Sequence, residues 1–409
     1  MSSLLIYVLF ICFSFPIKAD QSVPSNSALH GLEFIAPENR FTLRVEIRNN
    51  SFNQLYDQNG NKQDAGALLN GVELNSSVFP DLANFGASTS LGKTNFQTDV
   101  KTERTEFTIG YGISKNLTVG LIIPYGKVTT QGIFSINGGN VGFNPAFNPA
   151  LPSSLSNPAL LPVGLGPTEP VDTSGVQSII SSPAFGYAYE PLKTTHWEGQ
   201  GDPTLGFLWR VHKSDYDALI IGGGIRFGMA DDIDPDDFLQ VPIDDGSTDL
   251  RARIEYYLSL SHNFDLKLSS ELTYQSKDNV TRRVPAVGEL LALASSKELL
   301  TRNLGNYYEV DIGLGKTINN WRIATTWHHY QKSADKYTSP LGNDTSALEQ
   351  NTQLFANQWR TSISWSGISS WQKGELPLPL IIQLEVQKTY DAENFPKVDD
   401  LYLQLTSFF

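Results

Sequence analysis

The sequence predicts an all-β protein: a transmembrane antiparallel β-barrel of about 12 strands, with long outer loops and short periplasmic turns. Apolar side chains recur at every second position in twelve segments, as in strands with one apolar face. Connections between these segments alternate in length, as they do in barrels that cross a membrane. After residue 19, no apolar run approaches the ~20 residues that a membrane helix needs. Any crossing of a membrane by the rest of the chain must therefore use strands.

The alternating segments follow one another along most of the chain. Segment 41–48 alternates four apolar residues with polar ones, two of which are arginine. The other segments begin near Arg104, Leu117, Thr204, Leu219, Arg251, Asp265, Tyr308, Trp321, Trp359, Leu380 and Leu401. Twelve is an even number, as bacterial outer-membrane barrels require.

A soluble sandwich also alternates, so the connections decide between the two folds. The short connections are 113–116, 212–217, 262–263 and 317–320, with a longer one at 366–377. The long connections are 49–103, 126–203, 229–250, 276–306, 331–357 and 391–399. This regular exchange favours the barrel and places both ends of the barrel chain on the periplasmic side.

Composition agrees with a membrane barrel. Charged residues make up 18% of the chain, against about 25% in soluble domains. Aromatic residues make up 11%, and many lie near strand ends, where the two membrane interfaces would be. The formal charge of −13 excludes nucleic acid as an expected partner.

The chain divides into three regions. Residues 1–19 resemble a cleaved signal peptide: an apolar run from Leu4 to Phe15 is followed by Pro16 and the small residue Ala19. A membrane-anchoring helix is the alternative. Residues 20–40 are predicted to be a periplasmic segment and a candidate plug, and residues 41–409 the barrel. Cys12, the single cysteine, lies in the first region, so no disulfide is expected.

The C-terminal strand ends in Phe409 after alternating apolar residues. This ending resembles the signal that outer-membrane assembly machinery reads, although Ser407 stands where an apolar residue is usual. The expected location is the bacterial outer membrane. The expected partners are its lipid and lipopolysaccharide, and the barrel assembly machinery.

The polar face of the strands supplies candidates for the lining of a lumen. They are Arg44, Glu46, Arg104, Glu106, Arg210, Arg226, Arg253, Glu255, Lys267, Glu271, Glu309, Asp311, Arg322, Arg360 and Glu385. Charges of both signs commonly pair to fill a narrow barrel; a polar path for solutes is the alternative. The near balance of signs argues against a pore specific for anions or cations.

Two outer loops carry apolar candidates for contact with a solute. Loop 126–203 contains Phe143, Phe147, Leu160 and Leu161, and segment 287–300, which contains Leu290 and Leu291, is predicted to be a short amphipathic helix. These residues either fold over the mouth of the barrel or pack within their own loops.

Other chemistry finds little support in the sequence. Eight aspartates crowd 231–249, but their spacing matches no defined calcium loop, which favours a solvated acidic loop. The six histidines lack the spacing of metal ligands, so no metal and no cofactor is expected. A membrane lipase would need His328 or His329 with Ser364, and no lipase motif surrounds them; an enzyme is not expected.

Two stretches resemble a known family. Gly110–Tyr125 resembles a hairpin of the meta-pathway phenol-degradation family of outer-membrane proteins. Gly199–Gly206 resembles its Gly-Asp-x-x-Leu-Gly element, and Ile220–Gly228 its next strand. The resemblance covers about half of the chain and implies a barrel that passes small apolar or aromatic compounds. A structural or surface-interaction barrel with a closed lumen is the alternative.

Overall fold

The computed structural model describes residues 35–152, 154–165, 169–286 and 288–409. The predicted signal peptide and residues 20–34 of the following segment lie outside the described residues.

Twelve antiparallel strands form a closed barrel, which confirms the predicted fold class. They are β1 (Phe41–Phe52), β2 (Ser90–Ser114), β3 (Leu117–Asn137), β4 (Thr204–Lys213), β5 (Asp217–Arg226), β6 (Asp249–Ser259), β7 (Phe264–Gln275), β8 (Tyr307–Ile318), β9 (Trp321–Lys332), β10 (Leu354–Ser366), β11 (Leu380–Glu393) and β12 (Asp399–Phe408). Each pairs with the next, and β1 pairs with both β2 and β12. Closure leaves no free edge, so the backbone hydrogen-bonding groups of these strands are paired around the ring.

The alternation of the strands separates an apolar exterior from a polar interior. In β1, Val45 lies opposite Phe107 of β2 and Leu405 of β12. Exposed apolar side chains recur around the outside; Ile109, Leu205, Ile254, Ile323 and Leu403 are examples. A belt of this extent is far larger than the apolar patches of soluble proteins, and it matches the apolar band of a barrel in lipid.

Short turns join the strands at one end of the barrel. Asn263 and Asn319, in two of these turns, have positive φ, a conformation that asparagine tolerates better than most residues. The longer connection after β10 contains helix α3 (Ile368–Gln372). Among the described residues, no helix is long and apolar enough to cross a bilayer.

Two predicted loops are partly strand. β2 begins at Ser90, well inside predicted loop 49–103, and β3 continues to Asn137. Their pairing runs from Lys93 opposite Asn137 down to the turn. The connection predicted at 391–399 is also shorter, because β11 continues to Glu393. In the projecting part of the hairpin, cap residues cover apolar side chains such as Phe96, and the simple alternation of a lipid-facing strand is lost.

The remaining outer connections fold into a cap over one end of the barrel. It holds helices α1 (Thr173–Ser181) and α2 (Ser346–Glu349) and 3₁₀ turns Pro80–Phe85, Pro183–Phe185 and Ala294–Ser296. Its short strands are Gln54–Tyr56, Lys62–Asp64, Glu73–Asn75, Val141–Phe143, Leu160–Pro162, Thr195–Gln200, Asp278–Arg283, Lys297–Asn303, Lys336–Thr338 and Phe395–Pro396. Its largest apolar cluster includes Leu82, Leu91, Val176, Ile179 and Tyr187. The cap therefore has a core of its own.

The prediction of a helix at 287–300 is wrong, because the described residues of this segment form a 3₁₀ turn and part of a strand. A 3₁₀ turn occupies Ala294–Ser296, and Lys297–Asn303 is a strand paired with Asp278–Arg283. Leu300 is buried while Leu299 is exposed, the alternation of a strand. Cross-strand hydrogen bonds here outweigh a local helical preference.

Tyr187 makes the cap sensitive to alkaline pH. Burial, with Asp81 and Glu289 nearby, raises the pKa of its hydroxyl to about 12. In the unfolded chain, a tyrosine has a pKa of about 10. Its contribution to cap stability is therefore complete below pH ~10 and is lost as pH rises toward 12. We expect Tyr187→Phe to shift alkaline unfolding of the cap to higher pH, as measured by protease sensitivity. Tyr216→Phe, at a residue that is 71% exposed, should leave the transition unchanged.

Candidate functional site: the charged lumen and its inner loop

A cavity of about 1140 Å³ occupies the barrel interior. Every one of the twelve strands contributes to its lining. It extends from the turn end, at Asn319 and Phe408, to the cap end, at Asp202 and Asp244. The cavity therefore extends along the barrel from one end to the other.

The structure places fourteen of the fifteen predicted lumen residues on this cavity. They are Arg44, Glu46, Arg104, Glu106, Arg226, Arg253, Glu255, Lys267, Glu271, Glu309, Asp311, Arg322, Arg360 and Glu385. Arg210 does not lie on it: its guanidinium donates to Asn116 Oδ1 and to the Lys115 carbonyl in the β2–β3 turn. A register shift between Arg210 and His212, at the turn end of β4, accompanies this departure.

The charges on the cavity wall are balanced. Nine are basic: Arg44, Arg48, Arg104, Arg226, Arg251, Arg253, Lys267, Arg322 and Arg360. Nine are acidic: Glu46, Glu106, Asp202, Asp244, Glu255, Glu271, Glu309, Asp311 and Glu385. A wall with equal numbers of each sign gives little overall preference for anions or cations.

Many of these charges are already paired across strands. Glu271 on β7 binds two arginines of β6: it pairs with Arg251, and its Oε2 lies 3.1 Å from Arg253. Arg322 on β9 forms two hydrogen bonds to Asp265, of 3.0 and 2.6 Å. Such pairs connect different strands and hold the guanidinium groups against the wall.

Asp311 is the centre of another group of polar side chains. Its carboxylate accepts hydrogen bonds from His328 Nδ1 at 2.8 Å and from the Ser269 hydroxyl at 3.0 Å. The Arg360 guanidinium lies 3.5 Å away. One carboxylate thus links β7, β8, β9 and β10.

Part of the wall lacks side chains altogether. Gly110, Gly120, Gly206 and Gly224 lie directly opposite one another across β2, β3, β4 and β5. All four line the cavity. Because glycine has no Cβ, this side of the lumen leaves space beside Arg251 of β6, which pairs with Gly224.

Filling this space should obstruct the lumen. A Cβ at Gly110 would lie 3.3 Å from Thr118 Cγ2, which a small shift can accommodate. We expect Gly110→Phe to reduce solute passage several-fold in reconstituted vesicles, because the ring must occupy the cavity. Ile109→Phe adds bulk at the neighbouring position, whose side chain is 44% exposed on the outside, and serves as the matched control. Equal passage through both variants would contradict this route.

The start of the described chain lies against the inner wall at the turn end. Ile35 packs on Ala218, Ile220 and Tyr257, which are fully buried. The Ala36 N–H donates to Thr118 Oγ1 at 2.8 Å. These contacts place residues 35–36 inside the barrel; whether the segment 20–40 acts as a plug stays a prediction.

The C-terminal part of the acidic connection 227–248, here called the inner loop, reaches the lumen, whereas Asp231, Asp232 and Asp234 are exposed, as predicted for a solvated loop. Arg104 Nη1 lies 2.7 Å from Asp244 Oδ1, and Arg226 Nη2 lies 2.8 Å from Asp245 Oδ2. Asp202 lies beneath the loop and is 2% exposed. Sequence reasoning did not assign these aspartates to the lumen, because charge density alone does not show where a loop folds.

The six apolar candidates lie in the cap. Leu160 and Leu291 belong to its buried core, with Phe147 and Leu290 packed against it. Phe143 remains 45% exposed beside Phe147, with ring centroids 6.3 Å apart. Leu161 is half-buried. In the described part of the chain, none of the six lines the lumen cavity.

The arrangement does not form a lipase site. His328 faces the lumen, whereas His329 lies among rings that include Trp327 and Phe355 and bonds Asn357. Ser364 lines the cavity near the turn end and pairs with Arg322, six positions from His328, a separation of about 20 Å along a strand. Within the described ranges, no group of three potential metal ligands occurs.

Comparison with known proteins supports the fold. No protein-family model matches the chain. No curated protein matches it. Among solved structures, an outer membrane channel from Pseudomonas putida F1 is similar, with a TM-score of 0.52, 11% identity and coverage of 91% of this chain and 96% of that one.

Two further barrels cover similar lengths at lower similarity. The toluene transporter TbuX of Ralstonia pickettii gives a TM-score of 0.37 at 10% identity, covering 94% of this chain and 92% of that one. The transport unit of the autotransporter AIDA-I from Escherichia coli gives 0.38 at 7% identity, with coverage of 98% and 97%. Of these three structures, the P. putida channel is the one whose TM-score supports a shared fold.

Proposed function

We propose that this protein is an outer-membrane channel for small uncharged solutes of apolar or aromatic character. The observation that carries the proposal is the cavity of about 1140 Å³ that all twelve strands line. A barrel that served only as a support would fill its interior with side chains.

The balance of charge supports the choice of uncharged solutes. Nine basic and nine acidic residues line the cavity, and pairs such as Arg322–Asp265 neutralise one another locally. An ion would find few unpaired partners there. Guanidinium groups also stack well on aromatic rings, and the glycine side of the lumen leaves room for a flat molecule.

The outer membrane is the proposed location. The exposed apolar belt suits lipid, and the fold shared with an outer membrane channel agrees with it. Cleavage of residues 1–19, contact with lipopolysaccharide and recognition of Phe409 by assembly machinery belong to the same proposal. Phe409 forms backbone hydrogen bonds with Phe41 in both directions, which places the C-terminal residue in the closing seam of the barrel.

The resemblance of Gly110–Tyr125 to a hairpin of the phenol-degradation family supports aromatic solutes. No catalytic role is proposed, and a closed structural barrel is the competing function.

The test is solute uptake by vesicles that contain lipopolysaccharide in the outer leaflet, with the purified protein inserted. Labelled phenol, benzoate and glucose are compared with protein-free vesicles. We expect the largest protein-dependent increase for phenol. No increase for any of the three would overturn the channel and favour the closed barrel. A larger increase for benzoate or glucose would overturn the choice of solute alone.

A further inference from the structure

We propose that the inner loop sets the size limit of this channel and that Asp202 is the positioning residue that holds the loop inside the barrel. This inference rests on the proposed channel function and adds to it a specific barrier. The geometry of one buried carboxylate carries the argument.

Asp202 fastens both ends of the inner loop. Its Oδ1 accepts the N–H groups of Met229 and Ala230, at 2.7 and 2.8 Å, where the loop begins. Its Oδ2 accepts the Gly246 N–H at 3.0 Å, where the loop ends. In return, the Asp202 N–H donates to Asp244 Oδ2 at 2.8 Å. A single residue of the β3–β4 connection thus holds the two ends of the loop together.

The two ends of the loop can meet only because glycine occurs there. A Cβ at Gly228 would lie 2.0 Å from the Gly246 carbonyl oxygen, which is a severe steric clash. Gly246 itself has a φ of +70°, which favours glycine. The neck of the loop is therefore narrow and defined.

From this neck, the loop contacts the wall between β2 and β7, where Gln275 Nε2 donates to Asp245 Oδ2 at 2.9 Å. Asp244 bonds Arg104 of β2 through two contacts of 2.7 and 3.2 Å. Asp245 bonds Arg226 of β5, and Ile243 packs over Gly126 of β3. These contacts place Asp244 and Asp245 at the cap end of the cavity, beside the wall between β2 and β7, where they narrow the space left for a solute.

The far part of the loop is tied to the cap. Asp236 accepts from Arg283 Nε at 2.9 Å, and Phe238 stacks on Tyr189 with ring centroids 4.2 Å apart. Burial opposes ionisation of Asp236, but hydrogen bonds from Lys297 and Arg283 more than compensate and lower its pKa. The loop thus stays connected to the cap even when its neck is released.

The first experiment replaces Asp202 by asparagine. Asparagine has one accepting oxygen, so its amide nitrogen would face at least one of the backbone N–H groups that now donate to Asp202. At least one buried hydrogen bond is therefore lost. We expect the population of channels with a displaced loop to rise roughly tenfold. The readout is the largest neutral polyethylene glycol that still enters the pore in planar bilayers, together with conductance. Both should increase.

The matched control is Asp57→Asn. Asp57 Oδ1 also accepts two backbone N–H groups, those of Asn59 and Asn61, both at 2.8 Å. That turn lies outside the lumen cavity, so the size limit should not change. If Asp202→Asn fails to fold, Asp244→Ala removes the contacts to Arg104 and to the Asp202 N–H, and the same increase is expected.

A cross-link tests the position of the loop directly. A Cβ at Gly126 would lie 3.4 Å from Ile243 Cβ, close enough for a disulfide. Gly126→Cys with Ile243→Cys, combined with Asp202→Asn, should restore the wild-type size limit when oxidised. Reduction should widen the pore again. A purely structural role for Asp202 would not produce this reversible rescue.

The outcomes separate the two proposals. Passage of solutes through the wild type, with the same size limit in Asp202→Asn and in the cross-linked protein, would overturn the inner loop as the barrier and leave the channel intact. Failure of every folded variant and of the wild type to pass any solute would overturn the channel itself.

Discussion

Replacing Asp311 by asparagine is expected to lower the free energy of unfolding of the barrel by about 3 kcal/mol. The reason is that this carboxylate, 15% exposed, serves several partners at once. His328 and Ser269 donate to it, and Arg360 lies 3.5 Å away. The amide would keep the shape of the side chain and remove its charge, leaving Arg360 near a group that cannot neutralise it.

The measurement is equilibrium unfolding of the detergent-solubilised barrel in urea, followed by the shift of the folded band on unheated gels. Asp399→Asn is the control, because Asp399 is 64% exposed and its partner Lys388 lies 3.8 Å away. Exposed pairs of this kind contribute ~0–1 kcal/mol. If both variants lose equally little stability, Asp311 does not brace β8 against the three strands that it contacts.

The second large effect is expected from Gly112→Ala. A Cβ at Gly112 would lie 2.1 Å from the Pro37 carbonyl oxygen and 2.7 Å from that of Ala36. The same backbone segment is hydrogen-bonded to Gly112, because the Asn39 N–H donates to the Gly112 carbonyl oxygen at 2.8 Å. Hydrogen bonds hold both the backbone at Gly112 and the backbone at 36–39, so neither can shift enough to make room for the Cβ. We therefore expect residues 35–39 to leave the turn end of the barrel.

Limited proteolysis followed by mass spectrometry measures this release. The wild type should resist cleavage near residue 36, and Gly112→Ala should be cut there at least several-fold faster. Vesicle uptake should rise in parallel if the segment obstructs the lumen. Gly199→Ala is the control, because its Cβ would meet only ordinary contacts, the nearest at 3.7 Å. Cleavage at equal rates would show that Gly112 does not hold the segment.

Together with the inner loop, these residues describe a lumen that is bounded at both ends. Ile35 and Ala36 lie at the turn end, and Asp244 with Arg104 lies at the cap end. The charged wall lies between them. Release of one end should therefore increase passage less than release of both, which double variants of Gly112 and Asp202 can measure.

The barrel and most of the residues of its inner wall are predictable from the sequence. Alternation with period two assigns each residue to one face, so residues such as Arg253, Glu271 and Asp311 are predictable lumen residues without any knowledge of contacts. Alternation fails where a strand is irregular, as at Arg210 beside its register shift, or where both faces meet protein, as in the projecting β2–β3 hairpin.

The way in which the outer connections fold is not predictable from the sequence. The aspartates of 227–248 read as a solvated loop, yet Asp244 and Asp245 pair with arginines more than ten residues distant in sequence. Segment 297–303 became a strand because a partner strand lies beside it. Period-two alternation predicts which side of a strand faces lipid. The path of a loop depends on hydrogen bonds and ion pairs with residues far away in the chain. These contacts leave no local pattern in the sequence, so they could not be predicted from it.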